Sequence, residues 1–427
     1  MKWVLFGRLI TSISSIVSNV VIIRVLGVND VSAYFLFLSF VSLVGVFLLF
    51  GLNKLNVIVA ASVEAHKLVA YIFNSVLVLF VIYFVFIFFW IGVGKDIVGA
   101  ALFSDVPPYY LECIVIIFSL QIYFSELFRG MDRIRDSVLV ANIGVAGSGG
   151  YGCIAGPLFM VFVLGCFYCF KKLTLDMVYS SILLANFIAL VFAFFVVFRV
   201  WGRAIYKTSL YNFNCCLKLV GESVPMLPAY LIALLPTQIE LWALNYLADS
   251  SDVADYGAVL RVIFFQNIPM LILWPIIQKK IVKGHMSQSD SPLKIVVGRW
   301  VLAVTSVNLV LLFLFFLGGG MFLSILYGEE LVRAYYVLII KSFHVCFLSV
   351  ESLFVLILSL SGGHRFLAKF GIIILVFQMF ASYALFQVFD VLGVFVASIL
   401  ASTLGIIVYA RSFLNSVGRK GCPKVLL

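Results

Sequence analysis

Residues 68–93 read LVAYIFNSVLVLFVIYFVFIFFWIGV, a run without a charged side chain, bounded by Lys67 and Lys95. A helix that crosses a bilayer needs about 20 consecutive, mostly apolar residues, and this stretch is long enough. The rest of the chain has the same character. Of 427 residues, 64% are hydrophobic and 11% charged, against roughly 45–50% and about 25% in soluble domains. No water-soluble fold hides that much apolar surface, so lipid is the expected solvent for most of it. Apolar runs between charges and turn formers predict spans near 5–27, 33–53, 68–93, 108–128, 138–169 and 175–198. The second set falls near 218–246, 254–278, 295–317, 331–360, 367–388 and 392–414. Span five is the least regular, because Gly144, Gly147, Gly149, Gly150, Gly152, Gly156 and Pro157 interrupt it.

Twelve such spans leave no segment for a soluble domain of ordinary size. Met1-Lys2-Trp3 leads into an apolar stretch that continues past a normal signal-peptide core to Arg24, so it reads as a retained first helix. Among the eight cysteines, Cys166-Phe167-Tyr168-Cys169 has redox-pair spacing without a thioredoxin-like context; small apolar helix residues are the simpler reading.

Loop charges test the tracing. With the N-terminus in the cytoplasm, Arg129–Arg135, Arg199–Lys218 and Lys279–Arg299 fall on the cytoplasmic side with most other basic residues. Arg24, Lys95, Lys171, Lys172 and Arg333 fall outside. That is the positive-inside distribution, with both termini cytoplasmic. It accounts for the net charge of +10 without any nucleic-acid partner. The chain has no P-loop for an attached ATPase and no extended loop of the kind expected in a membrane glycan polymerase.

The chain also repeats itself. Asp30-Val31-Ser32-Ala33-Tyr34 is echoed by Asp252-Val253-Ala254-Asp255-Tyr256, Tyr109-Tyr110 by Tyr335-Tyr336, and Gly130-Met131-Asp132-Arg133 by Gly362-Gly363-His364-Arg365. Two halves, 1–205 and 206–427, are expected in the same orientation, related by an axis along the membrane normal. The predicted fold class is an all-α polytopic membrane protein, about 12 transmembrane helices in two six-helix bundles around a central cavity.

Further short motifs carry a family resemblance: Arg24-Val25-Leu26-Gly27 with Tyr34, Gly51-Leu52, Pro225 with Pro228, Asp252-Val253 with Tyr256, Arg261 and Pro275. Leu326-Tyr327-Gly328-Glu329, Gly363-His364-Arg365 and Leu392-Gly393-Val394 extend it over essentially the full length. The chain resembles the polysaccharide transporter branch of the multidrug/oligosaccharidyl-lipid/polysaccharide exporters, in particular the Wzx-type O-antigen flippases. The resemblance implies a flippase, not an enzyme, moving an undecaprenyl-pyrophosphate-linked repeat unit across the bacterial inner membrane. Besides this lipid-linked oligosaccharide and the bilayer, it makes a glycan polymerase and a chain-length regulator candidate partners. One departure stands out: where the family leads one to expect an Asp-Arg pair late in span seven, this chain has Glu240-Leu241.

Ionisable residues inside spans are costly and are the first functional suspects. Lys341, His344 and Glu351 lie at i, i+3 and i+10 of span ten, within an arc of about 80°, and Lys341 and Glu351 are about 15 Å apart along the axis. They must find partners on other helices or in a hydrated cavity; outward snorkelling of Lys341 is the simpler alternative. Arg8, Ser12, Ser15 and Asn19 fall within about 60° on span one. They form either a hydrated wall or a hydrogen-bonding packing surface. Arg8, Arg24, Arg261 and Lys341 are the candidate cationic groups for a phosphate. Glu240, His344 and Glu351 are candidates for proton or sodium coupling; no metal or other cofactor is expected. Pro225, Pro228 and Pro236 make span seven either a moving element or a static kink. The competing function is a cation-coupled multidrug or small-solute antiporter of the same architecture.

Overall fold

The computed structural model describes residues 2–62, 65–92, 108–141, 152–205, 213–286, 291–360 and 363–416. Among them regular structure is entirely helical. In chain order the α-helices are α1 (Lys2–Val25), α2 (Val28–Leu48), α3 (Leu52–Ser62), α4 (Ala65–Phe89), α5 (Pro108–Gly130), α6 (Ile134–Val140), α7 (Ala155–Phe170) and α8 (Leu175–Ile205). Then follow α9 (Phe213–Ser223), α10 (Leu227–Leu247), α11 (Ser250–Met286), α12 (Ser291–Tyr327), α13 (Tyr335–Leu360), α14 (His364–Phe389) and α15 (Val391–Ser416). Eight helices among the described residues are long and apolar enough to cross a membrane: Val28–Leu48, Lys67–Gly92, Tyr109–Gly130, Leu175–Val200, Val297–Tyr327, Leu331–Ser359, Arg365–Phe389 and Val391–Leu414. Shorter apolar runs occupy Leu9–Val25 and Ala155–Phe170.

The α4 helix shows what drives the fold. Phe80, Phe84 and Phe88, one turn apart, are 67%, 72% and 77% exposed. Such an apolar stripe is untenable in water and is the surface a helix presents to acyl chains.

Several elements differ from the expected tracing. Span two does not end in a loop at Lys54: α2 stops at Leu48, the chain turns through Phe50 and Gly51 at φ 48° and 82°, and α3 resumes at Leu52. Span five is split into α6 and α7, with residues 142–151 outside the described part. Its glycines at 144, 147, 149 and 150 lie there. Span seven is broken where its first prolines predict. A 3-10 turn, Val224–Met226, separates α9 from α10, while Pro236 is accommodated inside α10. Spans eight and nine are longer than expected, each a helix of 37 residues. At 1.5 Å per residue each is about 55 Å long, well beyond a hydrocarbon core of about 30 Å.

The chain divides into two compact units, Met1–Leu231 and Ile232–Leu427. The division is later than the 205/206 boundary expected, because α9 packs on α3 and α4 of the first unit. The Cys216 thiol, on α9, reaches Asn74 Oδ1 on α4 at 3.3 Å. In the first unit α5 packs against α2, α3, α6 and α8, and in the second α13 packs against α11, α12, α14 and α15. The helices α5 and α13 open on Tyr109-Tyr110 and Tyr335-Tyr336, corresponding landmarks of the repeat. Tyr110 OH and Ser180 Oγ share a hydrogen bond of 2.6 Å, and Tyr335 OH donates to Phe316 O at 2.8 Å.

Within the first unit, hydroxyl and amide groups link α3, α4 and α5. Tyr71 OH donates to Asn56 Oδ1 at 2.7 Å, and Asn56 Nδ2 donates to Tyr123 O at 3.1 Å. Ser75 bonds Tyr123, and Tyr83 OH meets Ser119 Oγ at 2.6 Å. Such bonds join helices where apolar contact alone has no hydrophobic driving force.

Candidate functional site

The second unit holds a buried cluster of ionisable side chains. Lys341 and His344, one turn apart on α13, lie on one face because i and i+3 are neighbours on a helix. Glu240 comes from the last part of α10, beyond Pro236. Lys341 and Glu240 form an ion pair, their side chains 1% and 0% exposed. His344 Nδ1 lies 3.0 Å from Glu240 Oε1 and 2.9 Å from Lys341 Nζ. Tyr256, on α11, donates its hydroxyl to Glu240, and the Lys341 ammonium lies 5.8 Å from the centre of its ring. One carboxylate from α10 is thus held by an ammonium from α13 and a phenol from α11, with an α13 imidazole beside it. A lone buried charge in such surroundings costs several kcal/mol, an order-of-magnitude figure; here opposite charges and hydrogen bonds offset it.

The cluster continues along α13 and α15. His344 Nε2 is 3.1 Å from Ser402 Oγ on α15. Gly405, at i+3 from Ser402, lets the Glu351 carboxyl lie against the same helix. A Cβ at that position would collide with Glu351 Oε1. Beyond it Tyr409, at i+7, is fully buried with a hydroxyl that lacks a hydrogen bond, as does Glu351 Oε2.

A neutral clamp flanks the ionic groups. Gln266 of α11 donates to Ser342 O at 2.9 Å and Asn308 O at 3.3 Å, and accepts from Ser342 Oγ at 2.8 Å, tying α11, α12 and α13 together. Replacing Gln266 by leucine should lower the stability of the detergent-solubilised protein by about 1–2 kcal/mol, from the loss of these interhelical bonds. Thermal inactivation measured against wild type checks this; an unchanged midpoint would show the clamp to be idle.

The candidate residues therefore separate. Lys341, His344 and Glu240 come together, His344 reaches Ser402 on α15, and Glu351 is buried against Gly405 of that same helix. Lys341 does not snorkel outward: it is 1% exposed and finds its partner on another helix. The base missing at position 241 is supplied from α13 by Lys341. Arg261 is buried on α11, 5% exposed, and Arg24 is exposed in the last turn of α1. Ser12, Ser15 and Asn19 are buried, and Asn19 Nδ2 donates to Ser15 O at 2.6 Å. The Arg8 side chain lies outside the described residues. Cys166 and Cys169 are free thiols on α7. Tyr256, Gln266, Ser402 and Gly405 were not among the expected site residues. The spacing Ser402, Gly405, Tyr409 is the one sequence signal that could have shown α15 turning a small and polar face to α13.

A sequence pattern described as a polysaccharide biosynthesis protein matches residues 1–279. The chain belongs to this polysaccharide biosynthesis family. No curated protein matches its sequence. Among solved structures, this family member is similar to the MATE multidrug transporter DinF-BH at a TM-score of 0.70 and 16% identity, over 97% of this chain and 93% of that one. It is similar to the inward-facing conformation of a multidrug resistance MATE family transporter of the MOP superfamily, with a TM-score of 0.67, 11% identity and 95% of each chain covered. A mutant of the Vibrio cholerae MATE transporter VcmN gives a TM-score of 0.65 at 15% identity, over 97% and 95%. The polysaccharide biosynthesis family member is thus a multi-pass membrane protein with a MATE-like fold.

Proposed function

We propose that the protein is a flippase that carries a polyprenyl-pyrophosphate-linked oligosaccharide, an O-antigen or related surface-glycan repeat unit, from the cytoplasmic to the periplasmic face of a bacterial inner membrane. The observation that carries this reading is the match of residues 1–279 to the polysaccharide biosynthesis family. The MATE-like fold supports a transporter that works by alternating access. The task suits the chemistry. A pyrophosphate and sugar head group needs a polar path with fixed positive charge, while the polyprenyl tail stays in lipid. The guanidinium groups of Arg24 and Arg261 are candidates to meet phosphate, which they can bind bidentately. The loop charges support a cytoplasmic position for both termini. A glycan polymerase and a chain-length regulator would act on the delivered unit.

A cation-coupled multidrug antiporter is the second reading, favoured by the fold shared with multidrug transporters and by the buried carboxylates Glu240 and Glu351. Deleting the gene separates the two. The flippase reading expects lipid-linked repeat units to accumulate on the cytoplasmic face and surface glycan to disappear. Normal surface glycan with raised drug sensitivity would establish the antiporter instead.

A further inference from the structure

We infer that Gln378 of α14 is a positioning residue for transport: its side-chain amide braces α10 at Pro236 and so sets the place of Glu240 beside Lys341 and Tyr256. This role rests on the transporter reading above.

The sequence creates the need for a brace. Pro236 lies inside α10 and has no N–H, so the helix loses the bond to the carbonyl of Ile232 and is weakened for one turn. Glu240 follows four positions later on the same face. Its carboxylate is held by Lys341 and Tyr256, which belong to two other helices. Any give in the weakened turn moves a buried charge away from its partners, and an unmatched buried charge is costly.

The geometry supplies the brace. Gln378 Nε2 donates to Pro236 O at 2.9 Å and to Ser398 Oγ of α15 at 2.9 Å. Ser398 Oγ in turn donates to Val394 O at 3.1 Å, which fixes it on its own helix. An amide nitrogen carries two hydrogens, and both are used. In an α-helix the carbonyl of residue 236 is also the one that the backbone N–H of residue 240 addresses. Gln378 thus takes the second lone pair of the carbonyl that carries the peptide of Glu240. Gly371, two turns before Gln378 on the same face, lets α14 come close, since a Cβ there would collide with Ile232. So α14 touches α10 at both ends of the missing bond, at Ile232 and at Pro236.

Its setting singles Gln378 out. Between Gly371 and Ala381 it is the one polar side chain. Met379 and Phe380 beside it are 59% and 72% exposed, whereas Gln378 is almost wholly buried. A buried amide on a lipid-facing helix is costly unless it is bonded, and here both donors are spent on α10 and α15.

Two measurements on the full-length protein test the role. Gln378→Met keeps the length of the side chain and removes both donors. In detergent it should speed thermal unfolding about tenfold or more in the wild-type background. The acceleration should be at least about threefold smaller where Lys341→Met with Glu240→Leu leaves no charge at the seat. Equal acceleration in both backgrounds would make Gln378 an ordinary interhelical bond and overturn the role. The second measurement is the initial rate at which the protein in liposomes flips a polyprenyl-pyrophosphate-linked disaccharide. Gln378→Met should lower it about tenfold, while Ser398→Ala, which keeps the bond to Pro236, should stay within about twofold of wild type. Pro236→Ala restores the missing N–H, so adding Gln378→Met to it should slow flipping no further. Losses that multiply, a Ser398→Ala as slow as Gln378→Met, or a Gln378→Met that flips at the wild-type rate would each overturn the role. Where Gln378→Met alone is lost from the membrane, its combination with Pro236→Ala decides: that protein should accumulate like Pro236→Ala, and its loss overturns the role. If wild type moves no probe, unequal acceleration of unfolding still upholds the brace, and the proposed cargo is what is rejected.

Discussion

Lys341→Met should abolish transport and destabilise the protein by about 3–5 kcal/mol, the range found when one partner of a buried ion pair is removed. The variant leaves Glu240 fully buried with only His344 and Tyr256 beside it. The loss comes chiefly from the stranded carboxylate and not from any large intrinsic value of the pair. Lys341→Met combined with Glu240→Leu should therefore recover much of the stability, since apolar groups can replace a buried pair with little penalty. It should not recover transport. Thermal inactivation of the purified variants and surface-glycan display in cells provide the two readouts. Equal stability losses in the single and double variants would show that the two charges are energetically independent. A double variant that displays glycan normally would remove the pair from the mechanism.

Gly51→Ala should be nearly as severe, for a reason of backbone shape. Gly51 has φ 82°, in the left-handed region, which costs an L-residue about 1–2 kcal/mol. Its missing Cβ would also run into the carbonyl oxygen of Ser223, the last residue of α9. Overpacking against rigid backbone adds about 1–3 kcal/mol. Together these should reduce the amount of membrane-integrated protein sharply, as read by immunoblot and by protease sensitivity of the first unit. Gly27→Ala is the control. Gly27 is extended, at φ -67°, and a Cβ there meets nothing within 4 Å. It should accumulate like wild type, and similar losses in both variants would refute the steric account.

The parts of the fold that depend on local composition were legible in the sequence. The run at 68–93 announces a lipid-facing helix because no charge interrupts it, and Pro225 marks the break before α10. Gly51 was visible as a motif, but its role was not: the nearness of Ser223 brings in a residue 172 positions away. The site divides in the same manner. Lys341, His344 and Glu351 could be placed on one face of one helix from their spacing. Their partners could not, because periodicity within a helix says nothing about which helix lies opposite. The pairing with Glu240 and the contact of His344 with Ser402 are therefore tertiary facts, and so is the exclusion of Lys341 from the lipid boundary.

That pairing has a consequence for biosynthesis. Glu240 and Lys341 are 101 residues apart in sequence, so the acid leaves the ribosome well before its counter-charge exists. At about 5–20 residues per second, α10 waits roughly 5–20 s for α13. During that interval the nascent helix holds an acidic side chain whose counter-charge has yet to be made, with only the Tyr256 hydroxyl of α11 arriving earlier. The later half of the chain is thus assembled in a fixed order, in which the final seating of α10 waits for a helix made long after it.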